Sequence, residues 1–156
     1  MAVFKLFVLP LLFTLVSTTA QDIEKAFLQN NPKTLYSLFS SESGINISLP
    51  EPISFSDQLS RQQAYFLFKK IFSSYTTFEF FSESEVPPDL EEESFIFRAR
   101  WSFRDNKNND QHVLHIFFFL LNETERKDRA SPSLPGREGG NPKNVWKIIE
   151  IKAEKI

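Results

Sequence analysis

Residues 60–75 read SRQQAYFLFKKIFSSY. Ala64, Leu67, Phe68, Ile71, Phe72 and Tyr75 recur at the three- and four-residue spacing of a helix with one buried face. Ser60 and Gln63 stand at its start in the pattern of a capping box, where each side chain accepts from the other residue's backbone N–H. Leu59 and Ala64 hold the two positions of a hydrophobic staple. Gln62, Lys69, Lys70 and Ser73 fall on the opposite side, toward water. Phe66 lies about 160–200° from the apolar stripe. Either another segment covers it or it meets a partner; a lone exposed aromatic is the commoner case.

After Tyr75 the apolar period drops from about 3.6 to about 2, the change from helix to strand. Residues 77–85 place Phe78, Phe80 and Ser82 on one side and Glu79, Phe81, Glu83 and Glu85 on the other. An acidic, proline-containing turn follows over 86–93. In 94–104, Phe95, Phe97, Ala99, Trp101 and Phe103 alternate with Ile96, Arg98, Arg100, Ser102 and Arg104. DNKNND at 105–110 is a polar hairpin turn, and 111–121 is apolar on both sides, as a central strand is. A last strand over 144–152 sets Val145, Ile149 and Ile151 against Trp146 and Ile148. Between the last two strands, residues 122–143 are rich in proline, glycine and mixed charge, which predicts a flexible insertion.

Upstream, Ile23, Ala26 and Phe27 share one side of a short helix over 22–29. Asn31 as cap and Pro32 as first helical residue predict a second helix to about Ser40, with Leu35, Leu38 and Phe39 inward. Ile45, Ile47 and Leu49 alternate with Asn46 and Ser48 as a half-buried strand, which Pro50 and Pro52 end.

Residues 1–20 have the grammar of an export signal: Lys5, an apolar run over 6–16, then Ser17, Thr18, Thr19 and Ala20. The run is too short to span a bilayer and Pro10 interrupts it. The expected organisation is a signal peptide at 1–20 and one domain at 21–156, periplasmic or secreted, with no membrane anchor after cleavage. The chain has no cysteine, so neither disulfides nor a lipidated N-terminal cysteine hold it. Its net charge is −2, and it has no basic tract, which argues against nucleic acid as a partner. The 18 phenylalanines supply enough aromatic bulk to fill a thick core or line a cavity.

The order helix, helix, short strand, long helix, then four long strands resembles the nuclear transport factor 2-like cone over nearly all of residues 22–155. That fold is α+β, with a strongly curved, mainly antiparallel sheet wrapped around a long helix and two short N-terminal helices. The wording is similar to a family of small secreted bacterial proteins of unknown function. The residues concerned are Ile23-Glu24-Lys25-Ala26, then Leu35, Leu38-Phe39-Ser40, and Ser60-Arg61 with Gln63-Ala64 leading to Leu67-Phe68-Lys69 and Phe72. Trp146-Lys147-Ile148 and Ile151 complete the likeness. These are capping and core residues, so the resemblance bears on fold more than on activity.

Enzymes of this cone carry an acid or base in the cavity. Here the inward set of 94–104 is Phe97, Ala99 and Trp101, and the carboxylates of 77–85 face away from Phe78 and Phe80. No catalytic residue stands out. Tyr65, Phe68, Phe72, Phe97, Trp101 and His115 are the cavity candidates, with Tyr36 a further polar one. His112 and His115, three apart on a strand, face opposite ways, so no metal site is expected. No cofactor is implied. Glu79, Glu83 and Glu85 stand ready to pair across strands with Arg98, Arg100 and Arg104. Phe81, Ile96, Trp146, Ile148 and one side of 113–121 leave an apolar outer face suited to a homodimer. Two tripeptides, at Asn46 and Asn122, match the N-glycosylation pattern, which arises often by chance. The expected function is a non-catalytic exported domain that binds a small apolar ligand or a protein. The alternative is a dehydratase or isomerase-type enzyme using Tyr65 or His115.

Overall fold

The computed structural model describes residues 18–83, 93–123 and 145–156. The expected signal peptide, except Thr18, Thr19 and Ala20, lies outside them, as do most of the acidic turn and of the predicted insertion. The elements run α1 (Thr18–Leu28), α2 (Pro32–Leu38), β1 (Ile45–Leu49), β2 (Phe55–Leu59), α3 (Arg61–Ser74), β3 (Tyr75–Ser82), β4 (Ser94–Asp105), β5 (Gln111–Asn122) and β6 (Trp146–Lys155).

The helix that the sequence marks best is the one the cap secures. Gln63 N–H donates to Ser60 Oγ at 3.2 Å and Ser60 N–H to Gln63 Oε1 at 2.9 Å. α3 buries Ala64, Phe68, Ile71 and Phe72, and leads directly into β3 through Tyr75. Within the described residues α1 already includes Thr18, ahead of the expected Asp22, with Ala20 partly buried against the core; Ile23, Ala26 and Phe27 are fully buried. α2 stops at Leu38 instead of near Ser40. Phe39 turns extended (φ −69°, ψ 141°) and bridges Ile148 in parallel, and Ser40 N–H donates to Ile148 O at 3.0 Å.

The strands form one six-stranded sheet in the order β2-β1-β6-β5-β4-β3. Every neighbouring pair is antiparallel except β1 with β6. β2 has no counterpart in the sequence-based expectation. Its central residues Ser56, Asp57 and Gln58 are exposed, so no apolar alternation announces it. It exists because it pairs with β1, from Ile45 opposite Leu59 to Leu49 opposite Phe55.

Two irregularities shift the alternation, and each corrects an expectation. The β3–β4 register slips between Thr77 and Glu79, so Phe78 is exposed and Thr77 turns into the core in its place. The β5–β6 register slips between Phe119 and Leu120: Phe119 faces Glu150 while Leu120 faces Ile148, and Ile149 is the extra residue. Ile148, Ile151 and Ala153 are therefore the buried positions of β6, and Ile148 does not belong to the outer face. Each bulge bends its strand and strengthens the local twist, which lets a sheet curve around a helix.

Candidate functional site

The interior of the sheet is where a cone-shaped protein would hold a ligand. Four candidates lie there: Phe68, Phe72, Phe97 and Trp101, all buried. Phe68, Phe72 and Trp101 meet Phe27, which α1 projects onto the inner side of the sheet, and Phe97 joins the cluster through Phe80 and Phe118, with centroids 6.5 and 5.8 Å away. The ring centroid of Phe27 lies 4.8 Å from Phe80, 5.1 Å from Trp101, 5.3 Å from Phe72, 5.6 Å from Phe118 and 6.0 Å from Phe68. Four of these five contacts are edge-to-face, the arrangement that aligns a ring's positive edge with its neighbour's negative face. The cluster's polar contact is internal to it: Trp101 Nε1–H donates to the buried Thr77 Oγ1 at 2.9 Å. Phe27 and Thr77 are the residues that sequence reasoning missed here. Phe27 was legible as an apolar helix position, but nothing in its spacing says how far into the cone it reaches.

The other two candidates lie elsewhere. His115 is on the outer face of the sheet, a correction to its expected place in the cavity. Its neighbours Leu114 and Ile116 take the buried positions of β5. His112 holds the inner parity instead, stacked on Phe103 with centroids 5.4 Å apart. Tyr65 is half-buried at the surface of α3, where it meets Tyr36 edge-on at 5.6 Å and Phe66 at 5.3 Å.

The outer face is built from cross-strand rows. One runs Phe81, Arg100, His115, Glu154 from β3 to β6; the next carries Arg98, Phe117 and Lys152, and a third Ile96, Phe119 and Glu150. Of the acid–base pairing expected between neighbouring strands, two pairs are present, and Glu85 lies outside the described residues. Arg98 Nε lies 3.0 Å from Glu83 Oε2, and Arg100 Nε lies 3.9 Å from Glu79 Oε1. His115 Nδ1 approaches Glu83 Oε2 at 3.4 Å without hydrogen-bond alignment. Phe81 (62%) and Ile96 (52%) are the most exposed apolar residues of this face, with Phe117 and Phe119 half-buried between the charged columns.

A buried carboxylate lies at one end of the sheet. Glu123, 4% exposed, accepts from the Ser40 hydroxyl, which itself accepts from the Ser43 backbone N–H at 3.3 Å and the Glu42 N–H at 3.2 Å. These contacts tie the end of β5 to the exit from α2. At the other end, Tyr75 Oη donates to Pro52 O at 3.4 Å. Burial, and then the neighbouring Asp105 carboxylate, push the Tyr75 phenol above its ordinary pKa.

A capped helix held on the inner side of a bulged, mixed, six-stranded sheet, with two short helices before it, defines an α+β protein of the nuclear transport factor 2-like cone fold. Among solved structures, the chain is similar to a ketosteroid isomerase-like protein from Erwinia carotovora atroseptica, with TM-score 0.60 and 9% identity over 90% of this chain and 93% of that one. It is similar to a DUF4783 family protein from Bacteroides uniformis, with TM-score 0.59 and 12% identity over 87% and 95% of the two chains. A DUF4783 family protein from Bacteroides ovatus matches at TM-score 0.56 and 15% identity over 86% and 93%. Identities this low speak for the shared fold alone. No protein-family model matches the chain, and no curated protein matches it.

Proposed function

We propose that this is an exported, non-catalytic domain that acts by binding protein, with a second copy of itself as the partner on the outer face of the sheet. The observation that carries this reading is Phe27. It occupies the inner side of the sheet and touches five aromatic rings at centroid separations of 4.8–6.0 Å. Phe68 and Phe72 meet each other and Phe27, and Trp101 packs on Phe27 and Phe103, which favours a filled cone over a pocket for a small apolar ligand. The enzyme reading loses its two residues, because His115 faces outward and Tyr65 lies at the helix surface.

What remains available is the outer face, where Ile96 pairs with Phe119 and Phe117 flanks them, and Phe81 stands exposed beyond the arginines of β4. A monomer seldom leaves so much apolar surface to water. The alternation of glutamate on β3 with arginine on β4 is self-complementary, so a two-fold axis can bring the acid of one copy near the base of the other. Export rests on the leader-like residues 1–20.

Size-exclusion chromatography with light scattering tests the partner. A dimer at micromolar concentration, split by Ile96→Asp or Phe81→Glu, is the expected result, and a monodisperse monomer counts against it. Native mass spectrometry of protein from its own host tests the filled cone. A co-purifying apolar small molecule would overturn that part of the reading.

A further inference from the structure

The helical side of the molecule carries a charge pattern that neither the packed cone nor the outer sheet face uses. α2 and α3 hold Lys33, Arg61, Lys69 and Lys70 and no acidic residue, in a chain whose net charge is −2. Along the chain, no aspartate or glutamate occurs between Asp57 and Glu79, or between Glu24 and Glu42. Lys33, Lys69 and Lys70 are exposed. Phe66 stands among them, 62% exposed, with Gln62, Gln63, Lys69 and Lys70 as its helical neighbours. It is braced in that position. Its ring meets Tyr65 edge-on at 5.3 Å, Tyr65 meets Tyr36 at 5.6 Å, and Tyr36 is clamped by Arg61. The Arg61 guanidinium stacks 4.2 Å from the Tyr36 centroid while its Nε–H donates to Tyr36 O at 3.0 Å.

We propose that the exposed face of α3, with α2 beside it, docks peripherally on an anionic phospholipid surface. Phe66 enters the headgroup boundary, and Lys69, Lys70 and Lys33 lie against the lipid phosphates. Three features select this occupant. The charges on these two helices are all of one sign, which an anionic surface complements. Long lysine stems can follow the ring downward while their ammonium groups stay at phosphate level. The aromatic projects from a convex helix face, and a fluid interface accepts a projecting ring without the preformed socket that a folded protein partner needs. The association is peripheral, since no helix among the described residues is long and apolar enough to cross a membrane.

The test is co-sedimentation of the full chain with phosphatidylglycerol–phosphatidylcholine vesicles and with phosphatidylcholine vesicles alone. The readout is the ratio of the two partition coefficients for each chain divided by that of a Lys33→Gln/Lys69→Gln/Lys70→Gln triple variant, which cancels what residues 1–20, Lys5 included, add to every chain. The expected ratio exceeds one and collapses as salt is raised. Lys69→Gln and Lys70→Gln each lower it by about fivefold, the effect of removing one cation from an anionic surface. Phe66→Ser weakens partition into the anionic vesicles with far-UV circular dichroism unchanged. Lys152→Gln, on the outer face of the sheet opposite Phe117, leaves the ratio as it was. A normalised ratio of one for the wild-type chain at low salt, so that loss of the three lysines changes nothing, overturns the proposal.

Discussion

Trp101 donates its indole N–H to Thr77 Oγ1 at 2.9 Å inside the core, and the β-bulge beside Thr77 is what turns that hydroxyl inward. The pair shows how the fold reconciles a polar atom with an aromatic interior. A buried tryptophan needs an acceptor, and the displaced register of β3 supplies one. Thr77→Val keeps the shape and removes the acceptor. It is expected to lower unfolding stability by about 1–3 kcal/mol, the cost of a buried donor left without a partner. Urea unfolding of the two proteins checks this, and Thr77→Ser, which keeps the hydroxyl, should retain more of the stability than valine.

Phe27 is the second point of leverage. Phe27→Ala empties the centre of the aromatic cluster and is expected to cost about 3–5 kcal/mol. The hole is apolar on every side that the neighbouring rings define, so it should take up a small aromatic solute. Thermal unfolding of the variant with and without benzene checks both parts. The expected result is a lowered melting temperature that benzene partly restores, with no benzene effect on the wild type.

Tyr75 makes alkaline stability a readout of packing. Its pKa is raised above the ordinary 10.0, first by burial and then by Asp105. A raised value in the folded state means that the neutral phenol is favoured there. The resulting stabilisation is complete below the unfolded-state pKa and is lost as pH rises through the folded-state one. Tyr75→Phe removes this component, so its stability should fall less steeply above the ordinary tyrosine pKa. Urea midpoints of the two proteins across that range decide the matter; parallel curves would refute the assignment.

The capping box at the start of α3 is exposed and local, which makes it a clean measure of what the cap contributes. Ser60→Ala is expected to cost about 1 kcal/mol, and Ser60→Asp to cost much less, since aspartate caps equally well. Gln63→Ala should have a smaller effect than Ser60→Ala, because it frees one exposed N–H that water can satisfy. Equilibrium unfolding in urea resolves these differences.

The helix of residues 60–75 was legible almost to the residue because everything that defines it is local. Its stripe repeats at helical spacing and its cap lies within three residues. The two preceding helices and the long strands were legible for the same reason. β2 was not. Its polar centre carries no strand pattern, and only pairing with β1 makes it a strand. Phe78 and Ile148 were placed on the wrong faces because strict alternation cannot foresee an extra residue. A bulge is set by the partner strand and by the curvature of the sheet.

Residue order and composition by themselves determined the α+β class, the central helix, the strands other than β2, and the placing of glutamates and arginines where neighbouring strands can pair them. These follow from spacing, and spacing is written in the chain. Which side of β5 faces inward was decided only by tertiary structure. That strand is apolar on both faces, so its sequence is symmetric with respect to burial, and His112 rather than the expected His115 takes the inner parity. The state of the cone was decided there too. Phe27, Phe68, Phe72, Phe80, Trp101 and Phe118 come from five different elements, and whether their rings meet or leave a gap depends on distances that no local pattern encodes.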